Sequence, residues 1–126
     1  MIVSKKKETI KLLTIKEVEK FACKKRDGMK SLYRRRKIFK RDNYTCMKCG
    51  VRGCYWALEM YKDGRIELQL YAINTDGKEV LMTIDHIKPV SKGGTDGLKN
   101  HQSMCHTCNN KKGNEYSENN IDSGYA

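Results

Sequence analysis

The polar and apolar positions of the first third of the chain predict two helices. The residues before Thr14 are polar, and we expect them to be frayed. The pattern Thr14-Ile-Lys-Glu17 predicts a capping box, and the helix behind it is expected to run towards Lys25 and to stop at Asp27-Gly28. A second helix, capped by Ser31, is predicted to end near Asp42-Asn43. Its apolar positions are Leu32, Tyr33, Ile38 and Phe39.

Between Trp56 and Ile84 the periodicity becomes that of strands. The runs WALEMY, RIELQLYAI and EVLMTI are separated by the turn sequences KDG and NTDG, which predicts a three-stranded meander. The stretch PVSKGGTDGLKN from Pro89 to Asn100 is typical of a loop. A short strand and a helix beginning near Cys105 are expected after it. The polar tail at 117–126 is predicted to be disordered.

Positive charge is concentrated at the start of the chain. Residues 1–45 contain sixteen of the 26 Lys and Arg residues but only five of the 15 Asp and Glu residues, so the whole excess of +11 lies there. A basic arm on a neutral body suits a polyanionic partner, since neutralised phosphates release counterions. The alternative is a solvated helix face without a partner.

Two features indicate the compartment. No apolar run approaches a membrane span, and the start MIVSKKKETIK lacks the features of a signal peptide, so we expect a cytoplasmic protein without a membrane partner. In a reducing compartment, six cysteines are a sign of metal binding more than of disulfides. Metal would also stabilise a chain with only 38% hydrophobic residues.

Four of the cysteines form two C-x-x-C pairs, Cys46 with Cys49 and Cys105 with Cys108. This spacing lets both thiolates of a pair reach one ion, so the pairs predict a tetrahedral zinc site. Four thiolates leave no open position for water, which indicates structural zinc. Free or catalytic cysteines are the alternative. Cys54, His101 and His106 are possible zinc ligands in place of one of the four paired cysteines. Cys23 and Cys54 lie outside the pairs and are otherwise expected to be buried thiols.

Several motifs between and around these pairs occur in a recognisable order. RDNYTCMKCG is followed by IDHIKPVSKGG, then by Asn100, and then by MCHTCNNKKGN. This series resembles the zinc-containing HNH endonucleases, whose pattern runs RD-x-Y-x-C-x-x-C-G, DHI-x-P-x-x-x-GG, N, and C-x-x-C-[HN]-x-x-K. The resemblance covers roughly residues 34–114. Small enzymes of this family occur in phages and mobile elements, among other settings.

The resemblance implies an α+β fold with a ββα-metal core, to which the sequence would add the structural zinc, an inserted β-meander and an N-terminal basic helical arm. The implied division is an arm at 1–33, an endonuclease domain at 34–116 and a tail at 117–126. In the family pattern, Asp85 and Asn109 are ligands of the catalytic metal, His86 is the general base, and Asn100 orients the loop that bears the histidine. Asn109 replaces the third signature histidine. Because oxygen donors favour hard ions, we expect Mg²⁺ or Mn²⁺ there.

The implied substrate is DNA, bound by a monomer or a homodimer. Predicted phosphate contacts come from basic residues of the second helix and the last one, namely Arg34, Arg35, Arg36, Lys37, Arg41, Lys111 and Lys112. A zinc-stabilised module that binds nucleic acid without cleaving it is the alternative. The meander either enlarges the core or presents its aromatic residues to a partner; these are Tyr55, Trp56, Tyr61 and Tyr71.

Overall fold

A five-stranded antiparallel sheet organises the computed structural model, which describes residues 7–21 and 30–113. The elements within these ranges are β1 (Lys7–Thr14), α1 (Ile15–Glu19), α2 (Lys30–Arg41), β2 (Gly53–Tyr61), β3 (Ile66–Ile73), β4 (Glu79–His86), β5 (His101–Cys105) and α3 (His106–Lys112). Strand order in the sheet follows chain order from β1 to β5. The predicted meander is therefore confirmed as β2, β3 and β4. The short strand and the helix expected near Cys105 are confirmed as well.

The expectation of a frayed start is wrong for residues 7–14, which form β1 and pair with β2. Only Leu13 of this strand is buried, so little in its own sequence marks it as a strand. Lys7 explains part of the pairing, since its ammonium group lies 3.0 Å from Oε1 of Glu59, a carboxylate that is only 2% exposed. A buried carboxylate needs such a partner.

The capping box is confirmed at the start of α1. The amide of Glu17 donates to the Thr14 hydroxyl at 3.0 Å, and the Thr14 amide donates to the Glu17 carboxylate at 2.8 Å. Val18 of this helix is 1% exposed and belongs to the core. Helix α1 ends at Glu19 with Lys20 as its C-cap, so the expectation that it continues towards Lys25 is wrong for Lys20 and Phe21. The predicted stop at Asp27-Gly28 and the thiol of Cys23 lie outside the described residues. The tail at 117–126 lies outside them too.

Helix α2 packs one apolar face on the sheet, as its sequence predicts. Ile38 and Phe39 are buried, and the Phe39 ring meets the edge of Trp56 at a centroid distance of 5.9 Å. The helix begins at Lys30, so Ser31 lies within its first turn and is not the capping residue. The helix ends at Arg41, next to the predicted stop.

The aromatic residues of the meander divide between core and surface. Trp56 is 1% exposed and Tyr71 is 5% exposed, so both enlarge the core. The partly exposed ring of Tyr55 stacks on Tyr71 at 5.8 Å. Tyr61 is also partly exposed, and its hydroxyl accepts a hydrogen bond from Gln69. Of the two alternatives for the inserted meander, enlargement of the core is thus supported for Trp56 and Tyr71.

Residues 7–19 contribute to the same sheet and core as the other described residues. Residues 7–14 are a strand, which corrects the expected helical arm over that range. The expected boundary at residue 33 lies inside α2. The division into arm, endonuclease domain and tail otherwise stays a prediction. None of the helices in the described ranges has the length and apolar character needed to cross a membrane.

Candidate active site

The four paired cysteines come together although 55 residues lie between the pairs. Cys46 and Cys49 lie in the loop between α2 and β2, whereas Cys105 ends β5 and Cys108 lies in α3. Their four sulfur atoms lie within 4.8 Å of one another, and Cys49 Sγ is 3.8 Å from Cys105 Sγ. Zn–S bonds of about 2.3 Å in a tetrahedron place sulfurs roughly 3.8 Å apart. The cluster therefore has the dimensions of a zinc site.

The electrostatics of the cluster also favour a cation. Although burial opposes ionisation of Cys46, amides of the surrounding backbone donate to its sulfur, and the pKa of Cys46 is lowered to about 7. Burial, and then the charge of Cys46, raise the pKa of Cys105 above its ordinary value. The pKa of Cys108 is raised for similar reasons. Four thiolates thus need a positive ion to coexist, and the cluster could hold zinc.

The other expected zinc candidates are outside this cluster. Cys54 is exposed, so the expectation that it is a buried thiol is wrong. It lies near the start of β2, at the irregularity between Gly53 and Tyr55 where the register with β3 shifts. His106 is exposed, and its Nε2 lies 3.1 Å from the Asn110 amide nitrogen. His101 belongs to a different group, described below.

The pairing of β4 with β5 fixes the Asp85-His86 pair at the end of β4. Asp85 is opposite Gln102, and His86 is opposite His101. Asp85 is only 7% exposed, and its Oδ2 accepts a hydrogen bond of 3.0 Å from the Gln102 amide. A second partner is Lys112, whose ammonium group lies 3.1 Å from the same oxygen. This lysine also donates to the His86 carbonyl at 3.0 Å.

Asn109 projects from α3 beside the same strand. Its amide nitrogen donates to the Thr83 hydroxyl at 2.9 Å, and that hydroxyl donates to the Met104 carbonyl at 2.7 Å. The amide oxygen of Asn109 accepts no hydrogen bond from the described residues. Asp85, His86, Asn109 and Lys112 line one open cleft of about 350 Å³. The structure thus brings both expected metal ligands and the expected base to one cleft.

Asn100 braces the loop between β4 and β5. Its amide oxygen accepts from the Lys88 amide at 2.9 Å. Its amide nitrogen donates to the carbonyls of Lys88 at 3.0 Å and Thr95 at 2.7 Å. Its own carbonyl accepts from the Ile87 amide at 2.8 Å. These bonds tie Ile87 and Lys88, which follow His86, to Thr95 and Asn100 further along the loop, and the orienting role of Asn100 stays a prediction.

Two residues beside His86 were not assigned to the active site from the sequence. Asp96 Oδ1 lies 3.4 Å from Nε2 of His86 and 3.4 Å from Nε2 of His101. The two imidazole rings are 4.4 Å apart between centroids. The contact with His86, followed by the charge of Arg34, holds the pKa of Asp96 below its ordinary value. His101 carries no family signature, and only the strand register reveals its position.

The basic residues of α2 make intramolecular contacts that the sequence does not disclose. Guanidinium groups of this helix donate to main-chain carbonyls as follows: Arg34 to Asp96 at 2.6 Å, Arg35 to Leu68 at 3.0 Å, Arg36 to Val18 at 2.8 Å, and Arg41 to Leu98 at 2.9 Å and His101 at 2.6 Å. Lys37 lies over the Tyr33 ring. Lys111 is exposed, whereas Lys112 pairs with Asp85. Several predicted DNA ligands therefore also hold the fold together, and their DNA contacts stay predictions.

Comparison with known proteins gives one match. Neither the curated proteins nor the solved structures contain a match to this chain. The family model described as HNH endonuclease matches residues 74–115. That range includes β4, β5, α3 and the four residues Asp85, His86, Asn100 and Asn109, but not Cys46 and Cys49. The match supports a nuclease-type function in general terms, and it falls on the part of the chain in which the motifs indicated an HNH endonuclease.

Proposed function

We propose that the protein is a metal-dependent endonuclease that hydrolyses phosphodiester bonds in DNA. The observation that carries this proposal is the convergence of Asp85, His86 and Asn109 on one cleft of about 350 Å³. The cleft is open, as a polymeric substrate requires. A residue set that served only to bind nucleic acid would not need a carboxylate, an imidazole and a carboxamide at the same opening.

His86 is the proposed general base. Its side chain is 34% exposed, so it is reachable from solvent while its backbone is held by β4. Nε2 lies 3.4 Å from Oδ1 of Asp96, and the negative charge of that carboxylate favours the tautomer with hydrogen on Nε2. Nδ1 then carries the lone pair, and it makes no hydrogen bond with the described residues. This nitrogen would take the proton from the water that attacks phosphorus.

Asp85 and Asn109 are the proposed ligands of the catalytic ion. Their oxygen donors fit Mg²⁺ or Mn²⁺, and the Asn109 oxygen accepts no hydrogen bond within residues 7–21 and 30–113. When bound, such an ion supplies stabilisation of the charge that builds on the phosphate and on the departing 3′ oxygen. Gln102 fixes the carboxylate of Asp85, and Thr83 fixes the amide of Asn109. Both ligands are thus oriented before the ion arrives.

Asn100 is a positioning residue in this scheme. It contacts no reacting group, but its three side-chain hydrogen bonds hold the loop that follows His86. The four-cysteine cluster has a comparable supporting role, because it links the loop before β2 to the end of β5 and the start of α3. In the absence of this link, α3 and therefore Asn109 would lose a main attachment.

Cleavage of supercoiled plasmid tests the proposal. Purified protein with Mg²⁺ or Mn²⁺ should convert supercoiled DNA to the nicked form, and excess EDTA should stop the reaction. Binding of a labelled DNA duplex is measured in parallel without metal. Binding that is not accompanied by cleavage in Mg²⁺, Mn²⁺, Zn²⁺ or Ni²⁺ would overturn the enzyme proposal and support the non-catalytic binding module.

A further inference from the structure

The segment 95–97 is held in place by hydrogen bonds to three successive carbonyl groups. Asn100 donates to the Thr95 carbonyl at 2.7 Å, Arg34 donates to the Asp96 carbonyl at 2.6 Å, and the His101 ring bonds the Gly97 carbonyl at 2.8 Å. The Asp96 side chain itself is 82% exposed. A solvent-facing carboxylate is thus carried on a backbone that three separate groups immobilise.

This carboxylate meets two imidazole rings at distances that suit a shared ion. Nε2 of His86 and Nε2 of His101 each lie 3.4 Å from Asp96 Oδ1, and the three ligand atoms lie within 4.8 Å of one another. A distance of 3.4 Å is long for a strong hydrogen bond. Ligand bonds of about 2.0–2.1 Å in a tetrahedron place donor atoms roughly 3.3 Å apart. The spacing is therefore closer to that of a coordination shell.

The hydrogen bond of the His101 ring leaves its Nε2 free of hydrogen, as metal coordination requires. A carbonyl oxygen only accepts, so the bond to Gly97 places the hydrogen of His101 on Nδ1. The neutral ring then directs the lone pair of Nε2 towards Asp96. Histidine ligands commonly donate their other N–H to a carbonyl in this way, which fixes the ring orientation. The His101 side chain is also buried, with only 7% of it exposed.

We propose that Nε2 of His86, Nε2 of His101 and Oδ1 of Asp96 form a second metal site, separate from Asp85 and Asn109, that takes Zn²⁺ or a similar imidazole-binding divalent ion. Two nitrogen ligands and one carboxylate match the preferences of such ions and not those of Mg²⁺. The exposure of Asp96 leaves the fourth position open to water. The two histidines face each other as cross-strand partners of β4 and β5, which fixes their separation.

A metal ion bound at this site would prevent His86 from acting as the general base. A metal on Nε2 of neutral His86 leaves the ring hydrogen on Nδ1, the nitrogen assigned to accept the proton from water. The hydrogen passes from Nε2 to Nδ1 through solvent, and no net proton is released by that ring. Zn²⁺ above the amount held by the cysteines is therefore an inhibitor of the Mg²⁺-supported reaction. This consequence rests on the proposed function, whereas the metal site itself does not.

Metal binding is tested first, without reference to activity. Protein whose cysteine cluster already holds one zinc is titrated with Co²⁺, and visible absorption is recorded. We expect one equivalent of Co²⁺ to bind, as the second metal ion per chain, without thiolate charge-transfer absorption. The exposed change Asp96→Asn should weaken it at least about tenfold, since it alters a direct ligand. His101→Gln should do the same, and Asp76→Asn, at an exposed turn, should leave binding unchanged.

Inhibition is tested next with plasmid nicking in Mg²⁺, each variant being compared with its own rate before Zn²⁺ is added. Zn²⁺ should slow the wild-type protein and Asp76→Asn, but should affect Asp96→Asn at least about tenfold less. Equal inhibition of Asp96→Asn, or failure of the wild-type protein to bind the Co²⁺ equivalent that Asp96→Asn weakens, would overturn the second site. A protein that binds Co²⁺ as described but never cleaves DNA would instead refute the proposed nuclease activity and leave the metal site standing.

Discussion

The ammonium group of Lys112 lies 3.1 Å from Oδ2 of Asp85, so a lysine occupies one side of the carboxylate proposed to hold the catalytic ion. Lys112 is the last residue of the family motif and was expected from the sequence to contact a flanking phosphate. It lines the cleft of Asp85 and His86, where its charge offsets that of a buried aspartate, and its phosphate contact stays a prediction. An incoming divalent ion must compete with this charge.

Replacing Lys112 with Gln should therefore tighten metal binding at Asp85. An ion pair of about 1 kcal/mol corresponds to roughly fivefold in affinity. We expect the dissociation constant for Mn²⁺ to fall by about that factor. It is measured from the decrease of the EPR signal of free Mn²⁺ on binding. The exposed neighbour provides the control, since Lys111→Gln should have little effect. Unchanged or weaker Mn²⁺ binding by Lys112→Gln would contradict the competition.

The loop after His86 has no room for a side chain at Gly94. A Cβ atom there would lie 1.7 Å from the Lys88 carbonyl oxygen and 2.9 Å from that of Pro89, and backbone cannot yield as a side chain can. Gly94→Ala should destabilise the protein by about 1–3 kcal/mol and lower the nicking rate, while zinc content stays the same. At Gly97 the nearest atom to an added Cβ is 3.7 Å away. If Gly97→Ala proved as harmful as Gly94→Ala, the steric explanation would be wrong.

The bracing by Asn100 predicts a loss of both stability and activity in Asn100→Ala. The change leaves two carbonyls and one amide without their partner, which costs about 1–3 kcal/mol in the free energy of unfolding. Urea denaturation measures this loss. Asn110→Ala on the exposed face of α3 is the control and should cost less than about 0.5 kcal/mol. Similar losses in the two variants would remove the special role of Asn100.

The cysteine cluster predicts different outcomes for two exposed cysteines. Cys49→Ser removes a ligand and should abolish the binding of about one zinc per chain, with loss of folded structure. Cys54→Ser lies outside the cluster and should retain zinc. Zinc content by elemental analysis and folding by circular dichroism provide the measurements. Full zinc content in Cys49→Ser would contradict the four-cysteine assignment.

Local patterns in the sequence predict the elements that are stabilised locally. The alternation of β2 to β4, the capping box at Thr14 and the apolar face of α2 all follow from spacing along the chain. Strand β1 cannot be predicted from local patterns, because it is held by pairing with β2 and by the contact of Lys7 with Glu59, 52 residues away. A single buried side chain leaves no periodic signal in β1 itself.

In the candidate site, too, the sequence predicts the residues that belong to local motifs but not the partners that pairing of distant strands brings to them. Motif order identifies Asp85, His86, Asn100 and Asn109, and the structure brings three of them to one cleft with the fourth bracing the adjoining loop. The partners of these residues depend on the register of β4 and β5, which no local pattern specifies. Gln102 and His101 are examples, since each is defined as a neighbour only by its cross-strand position.

The arginines of α2 show why charge alone was an incomplete guide. A run of basic residues predicts a phosphate-binding face, but Arg34 and Arg41 reach main-chain carbonyls of the loop before β5. A guanidinium group has several donors in a fixed fork, which suits it to carbonyl groups as well as to phosphate. Sequence gives the charge of such a residue but not the acceptor that its side chain meets.

The most direct test of the account is the rate of plasmid nicking by His86→Ala in Mg²⁺, compared with wild type and with the exposed-histidine control His106→Ala. Loss of a general base should lower the rate by at least about a hundredfold in His86→Ala. The rate of His106→Ala should remain near that of wild type, and zinc content should be equal in all three proteins. Cleavage by His86→Ala at the wild-type rate would contradict the assignment of His86 as the base.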